Sequence, residues 1–233
     1  MSKTLLIFDI DGTLLYSQRR DSHSFALIYE KLYGRPFPTI DWQQYPHVTD
    51  TSIFATVIDR HFRRAAGWDE MESFQDHFVD LLLENRRHYP ADYLEVPQAC
   101  RAIEQLRADD RFVLGIATGG WMRPALLKLA HIGLNTEDMV MSFADRKHTR
   151  EDIIGEVVSR VRATRTDIER IVYVGDAPWD VETTRRLQMN FVGVRWRGDH
   201  DVLAREGAAQ VITDYRDFPG FLMAVDRASP PRR

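Results

Sequence analysis

The sequence predicts an α/β protein: a doubly wound, Rossmann-like parallel sheet with a helical unit inserted after its first strand. Three observations predict it. Short apolar runs at Leu5–Phe8, Phe112–Thr118, Ile171–Val174 and Phe191–Val194 alternate with stretches of helical spacing, the pattern of a parallel sheet covered on both faces. Between Leu15 and Leu94 the only periodic segments have helical spacing. Three of the apolar runs end directly in polar groups, at Asp9 and Asp11, at Thr118 and Gly119, and at Asp176 and Asp180. In open α/β sheets, ligands bind beyond the carboxyl ends of the strands.

Taken in order, Thr4–Phe8 is the first strand. Phe25, Ile28, Tyr29 and Leu32 then share one face of a helix closed by Gly34. Arg35–His47 holds three prolines and has no period, so it reads as a loop. Asp50-Thr51-Ser52 opens a helix carrying Phe54, Val57 and Ile58, and Gly67 is expected to break it. Asp69 followed by Glu72 resembles a capping box, ahead of Met71, Phe74, Phe78 and Leu82 on a helix to about Tyr89. From Pro97, expected at the first position of a helix, the pattern alternates. A helix with Cys100, Ile103 and Leu106 precedes the strand Phe112–Thr118; a helix over Pro124–His131 precedes a short strand at Met139–Phe143. A helix marked by Ile153, Ile154, Val157 and Val161 precedes Ile171–Val174; a helix ending at Leu187 precedes Phe191–Val194; Val211-Ile212 is the last strand. The expected organisation is a core of residues 1–14 and 95–228, a helical domain of residues 15–94, and a frayed tail at 229–233.

Composition bounds the function. The 233 residues are 44% apolar and 28% charged, and 31 basic against 35 acidic side chains give a net charge of −4. That balance points to neither nucleic acid nor an anionic membrane. Cys100 is the single cysteine, which excludes an internal disulfide and a cysteine-built metal site. No apolar run is long enough for a signal-peptide core or a membrane span. The expected setting is the cytoplasm, as a monomer or homodimer.

The chemistry sits in three segments. In Asp9-Ile10-Asp11-Gly12-Thr13, alternate side chains of a persisting strand share a face. Two like charges there make sense if a cation sits between them, or if one stays ionised while the other carries a proton. Thr118-Gly119-Gly120 offers a hydroxyl and open backbone N–H groups, which suit phosphate oxygens, although a plain turn reads equally well. Gly175-Asp176-Ala177-Pro178-Trp179-Asp180 adds two carboxylates, and such oxygen ligands suit Mg²⁺.

In order and spacing the three segments resemble the motifs of the haloacid dehalogenase-like hydrolase superfamily: DxDGT at Asp9–Thr13, a Thr at the end of the next core strand at Thr118, and GDxxxD at Gly175–Asp180. The inserted helices resemble the helical cap of phosphoglycolate phosphatase-like and β-phosphoglucomutase-like members. The family's basic motif departs from its usual Lys-Pro form. Lys147 and Arg150 are both candidates, and the shorter spacing to Asp176 favours Arg150.

The resemblance implies a phosphatase acting on a small phosphorylated metabolite. Asp9 would be the nucleophile that forms an aspartyl-phosphate, and Asp11 the general acid and base. Mg²⁺ would be held by Asp9, the Asp11 backbone carbonyl and Asp176, with Asp180 supporting its water shell. Thr118, Gly119 and Arg150 or Lys147 would hold the phosphoryl oxygens. The acid at position 11 favours phosphoryl transfer, because the superfamily's dehalogenases lack it. A phosphomutase of the same superfamily and a non-catalytic phosphoacceptor relative are the alternatives. A phosphonate-cleaving enzyme would need a cap lysine, and the helical unit offers only Lys31, inside a helix. His47-Val48-Thr49-Asp50 resembles the cap loop that approaches the active site, and reads equally as a helix cap.

Overall fold

The computed structural model describes Ser2–Arg232, so Met1 and the last residue of the expected tail, Arg233, lie outside the described residues. Among the described residues, six parallel strands form one sheet: β1 (Lys3–Phe8), β4 (Phe112–Ala117), β5 (Val140–Ser142), β6 (Ile168–Gly175), β7 (Asn190–Val194) and β8 (Val211–Ile212). Their spatial order is β5, β4, β1, β6, β7, β8. The chain winds outward from β1 in one direction, then crosses back to build the other half. The switch point of this doubly wound sheet therefore lies at β1, between β4 and β6. The register is tight there: Phe8 lies beside Ile116 on one side and Val174 on the other.

Alternation along β1 divides the core. Leu5 and Ile7 face one layer with Ala117, Tyr173 and Phe191, where α6 (Arg150–Thr164) covers them through Ile153, Ile154, Val157 and Val161. Leu6 and Phe8 face the other layer. There α4 (Ala99–Arg107), α5 (Met122–His131) and α9 (Phe218–Arg227) contribute Ile103, Leu106, Leu129 and Phe221. Two short core helices, α7 (Pro178–Arg186) and α8 (Val202–Arg205), complete the covering.

The inserted helices are α1 (Gln18–Tyr33), α2 (Asp50–Phe62) and α3 (Trp68–His88). The segment leaves and rejoins the core through a two-stranded antiparallel ribbon of β2 (Leu15–Tyr16) and β3 (Leu94–Glu95), which helical spacing did not foreshadow. Phe25, Phe54, Phe74 and Phe78 of this segment form an aromatic cluster with Trp121 at the start of α5. The Trp121 Nε1–H donates to Thr51 Oγ1 at 2.9 Å, and that hydroxyl donates to the Ala144 carbonyl at 2.7 Å. The helical layer is thus seated on the core by both apolar burial and hydrogen bonds.

Three boundaries differ from expectation. α2 ends at Phe62 because Arg63 adopts a left-handed conformation at φ 55°, ahead of Gly67. Gly67 instead starts α3, and its N–H donates to the carboxylate of Glu70, not Glu72. Pro97 lies in a turn before α4, whose N-cap is Gln98 at φ 66°. The expected frayed tail is pinned as far as it is described: Phe191 N–H donates to the Ser229 carbonyl, and Arg232 N–H donates to that of Gly207.

Gly115 lies in the middle of β4, where α6 crosses closely. A Cβ there would lie 2.8 Å from Val157 Cγ1 and 3.1 Å from the Val140 carbonyl oxygen. Gly115→Ala is expected to destabilise the protein by about 1–3 kcal/mol through overpacking, measured as a lower urea midpoint with an unchanged slope.

Candidate active site

The carboxyl ends of β1 and β4 open into one cavity of about 380 Å³, which Trp179, on the helix after β6, also lines. β1 stops at Phe8, and the Asp9 N–H continues the ladder to the Val174 carbonyl. Asp9 keeps the parity of Leu5 and Ile7, so its buried side chain points toward α6. The strand does not persist to Asp11. Ile10 turns into the core, and the chain curls through Gly12 at φ 84°. Asp9 and Asp11 line the same cavity, but each is met by a different cation.

Asp9 meets Arg150, the first residue of α6. The buried guanidinium donates to Asp180 Oδ1 at 2.8 Å, to the Val48 carbonyl at 3.1 Å and to Tyr173 Oη at 3.3 Å; its Nη1 lies 3.7 Å from Asp9 Oδ1. Burial works against this cation, but Asp180 and Asp9 outweigh it and raise its pKa further. Lys147 does not reach the cavity. Its Nζ pairs with Glu156 Oε2 at 2.7 Å and faces the carbonyls of Phe143 and Asp145. Of the two basic candidates, Arg150 is the one beside Asp9.

Thr118 and Gly119 follow β4 and line the cavity opposite. Gly119 is constrained by close approach. A Cβ there would lie 2.6 Å from the Val48 carbonyl oxygen and 2.9 Å from Arg150 Nη2. Asp176 follows β6 and is buried; Arg195 Nη1 donates to its carbonyl and lies 3.6 Å from its Oδ2. Asp180 is fully buried and receives the N–H groups of Asp176 and Ala177 on Oδ2, both at 3.1 Å.

The acidic groups fit a hard divalent cation. Asp9, Asp176 and Asp180 each offer a carboxylate oxygen within 4.8 Å of the others, and all-oxygen donors suit Mg²⁺. Oδ1 of Asp9 is buried and accepts no hydrogen bond from any described residue, Arg150 Nη1 at 3.7 Å being beyond hydrogen-bond reach, so this oxygen has a lone pair to offer a cation. Asp180 has its oxygens engaged by Arg150 and two backbone N–H groups, so it supports the cluster more readily than it ligates directly.

One member of the site, Lys128, was not foreseen, and a second, Asp50, lies in the loop that the sequence pointed toward it. Lys128 of α5 is buried and donates to both Asp11 oxygens at 2.8 Å; its Nζ also lies 2.7 Å from Asp21 Oδ2. Burial opposes its charge, but Asp11 and Asp21 outweigh burial and hold its pKa above the ordinary value. Asp50, at the start of α2, lines the cavity and accepts the Trp121 N–H on Oδ2 at 3.0 Å. Both readings of its loop therefore hold, since Thr49 caps α2 through the Ser52 N–H while Asp50 borders the site. Phe25, Ile40, Trp42, Ile53 and Trp179 supply apolar wall, and the exposed Arg19 stands at the mouth. Elsewhere on the insertion, Arg20 pairs with Asp92 and Arg64 with Glu70.

A family model described as haloacid dehalogenase-like hydrolase matches residues 6–194. The chain belongs to the haloacid dehalogenase-like hydrolase family. A validoxylamine A 7'-phosphate phosphatase from Streptomyces hygroscopicus subsp. limoneus is 24% identical over 204 residues, covering 85% of this chain and 88% of that protein. A hydrolase from Pseudomonas syringae superposes with a TM-score of 0.71 at 18% identity, covering 97% of this chain and 99% of that one. A predicted phosphoglycolate phosphatase from Haemophilus somnus 129pt gives 0.64 at 15% identity, covering 95% and 99%. These family structures share the fold. Among the described residues, no helix is long and apolar enough to cross a membrane.

Burial pushes the carboxyl groups of Asp9 and Asp50 up to about 7, from an ordinary value of 3.8, against the opposing pull of Arg150 on the first and the Trp121 N–H on the second. Between those values the folded state holds protons that the unfolded chain has released, so raising the pH destabilises the metal-free fold. Metal-free melting temperatures are expected to fall from about pH 4 to about pH 7, and Asp50→Asn should flatten the decline. Mg²⁺ should raise the melting temperature more at pH 8 than at pH 5, because protons no longer compete for Asp9.

Proposed function

We propose that this family member is a Mg²⁺-dependent phosphatase that hydrolyses a small phosphate monoester through an aspartyl-phosphate on Asp9. The observation that carries the reading is the meeting of Asp9, Asp11, Thr118, Gly119 and Arg150 around one cavity at the switch point of the sheet, with Asp176 clustered beside Asp9. The named activity of the Streptomyces relative, removal of phosphate from validoxylamine A 7'-phosphate, supports the same reaction class.

Asp9, the Asp11 backbone carbonyl and Asp176 would hold the cation, and Asp180 would order its surroundings. When bound, the cation supplies positive charge that offsets repulsion between the Asp9 carboxylate and the phosphate. In the first step an Asp9 oxygen attacks phosphorus. The bond to the ester oxygen breaks, and that oxygen takes a proton from Asp11. In the second step water attacks phosphorus and gives its proton to Asp11. The Asp9–phosphorus bond breaks, returning both carboxyl groups to their starting states and releasing inorganic phosphate. The Thr118 hydroxyl, the Gly119 N–H and Arg150 hold the phosphoryl oxygens as charge shifts among them. The helices α1 to α3 act as a cap that excludes bulk water and contributes the apolar wall that meets the leaving group.

Hydrolysis of p-nitrophenyl phosphate with Mg²⁺ tests the reading directly. Asp9→Asn is expected to lower turnover on the order of 10³-fold or more. The absence of turnover in the wild type, or turnover that persists in Asp9→Asn, overturns it. Asp11→Asn should lose turnover while calorimetry shows Mg²⁺ affinity retained, since only its backbone would bind metal. Arg150→Met should cost about 10²-fold in kcat, whereas Lys147→Met should leave kcat and KM unchanged.

A further inference from the structure

We propose that Lys128 is a positioning residue for Asp11, and that with Asp21 and Ser17 it forms a clamp closed only when the helical segment is seated on the core. The inference rests on the phosphatase reading above and assigns a role within it that the motifs do not contain.

Lys128 occupies a place on α5 where an apolar residue is expected. Its neighbours on the inward side, Trp121, Ala125 and Leu129, are all buried, and Lys128 is buried with them. A lone ammonium there would be strongly destabilising. It is retained among two carboxylates that come from different parts of the chain. Asp11 lies on the loop after β1, and Asp21 lies one turn into α1 of the insertion. Nζ reaches both oxygens of the first and one oxygen of the second.

Ser17 gives the second, independent sign. It is the N-cap residue of α1, yet its hydroxyl makes no capping bond. Instead Ser17 Oγ lies 2.6 Å from Asp21 Oδ2 and 3.2 Å from Asp11 Oδ1. A serine at this position normally satisfies a helix N–H; here the hydroxyl bridges the two carboxylates. The set therefore joins the core (Asp11, Lys128) to the first turns of the inserted segment (Ser17, Asp21).

The mechanical consequence follows from the bidentate contact. With both oxygens held, the Asp11 carboxylate has one orientation relative to Asp9 and the cavity. A proton carrier misplaced by about 1 Å costs on the order of 10²-fold. Loss of Lys128 removes the two-point hold on the Asp11 carboxylate, so steps that move a proton through Asp11 suffer and steps that do not are spared.

The test uses the full chain with Mg²⁺ and two probes of similar size, p-nitrophenyl phosphate and benzyl phosphate. The nitrophenolate oxygen leaves without a proton; the benzyl alkoxide does not. For Lys128→Met, the expected result is release of the first equivalent of nitrophenolate within about threefold of the wild-type rate. A steady state slowed on the order of 10²-fold should follow, because water attack still needs Asp11. Benzyl phosphate should lose its first turnover by a similar factor and show no burst. Lys128→Arg should restore benzyl phosphate turnover substantially, as it keeps a buried donor for both carboxylates. Ser17→Ala removes one donor and leaves every buried charge paired, so it decides the matter if Lys128→Met does not fold. It should show the same selectivity at about three- to tenfold. Equal loss on both probes without a burst, or no loss at all, overturns the clamp while the wild-type activity still stands. A wild type inactive on both probes sinks the phosphatase reading, and the clamp with it.

Discussion

The constraint on which this structure depends is the placing of many carboxylates in one small, buried volume. Asp9, Asp21, Asp176 and Asp180 are buried around the ends of three neighbouring strands, with the half-buried Asp11 and Asp50 beside them. Such a group repels itself and pays heavily for lost hydration. Two buried cations make it tenable, and they divide the work. Arg150 joins Asp9 to Asp180, the side of the cluster with metal-ligand geometry. Lys128 joins Asp11 to Asp21, the side that faces the inserted helices. The two aspartates of the opening motif thus stand in different electrostatic settings despite being two residues apart.

Much of this was legible in the sequence because it is carried by local pattern. Apolar runs of strand length, each followed at once by Asp, Thr or Gly, located the sheet and its functional edge. The spacing to Asp176 pointed to Arg150, which does stand beside Asp9, while Lys147 turns to Glu156. What escaped was what local pattern does not hold. β2 and β3 have two residues each, too few for any period to register. The strand parity expected to align Asp9 with Asp11 does not extend that far, because β1 ends at Phe8. Lys128 lies on a helix whose apolar spacing was recognised. The signal available was a lysine in line with Trp121, Ala125 and Leu129, and its partners Asp11 and Asp21 are more than a hundred residues earlier.

The seating of the inserted helices is also built from both sides. Asp50 reaches the N–H of Trp121, Thr51 the carbonyl of Ala144, and Thr49 the carbonyl of His148. Trp121 stacks among Phe25, Phe54 and Phe74. One short segment of the insertion therefore borders the cavity, caps its own helix and docks on the core. Gly119 lies directly beneath it, with its carbonyl receiving the Asp50 N–H and no room for a side chain under Val48.

The ribbon of β2 and β3 bears on how such a protein can change over time. Because Leu15 pairs with Glu95 and Tyr16 with Leu94, the insertion departs and returns at a single spot on the core. The entropy of closing a chain excursion grows only with the logarithm of its length. To the sheet, then, everything between Tyr16 and Leu94 is a graft on one fixed stem. Its helices can be lengthened, trimmed or exchanged while β1 and β4 keep their register. The apolar wall at Ile40, Trp42 and Ile53 can therefore be rewritten as long as Ser17 and Asp21, at the start of α1, keep their contacts with Asp11 and Lys128.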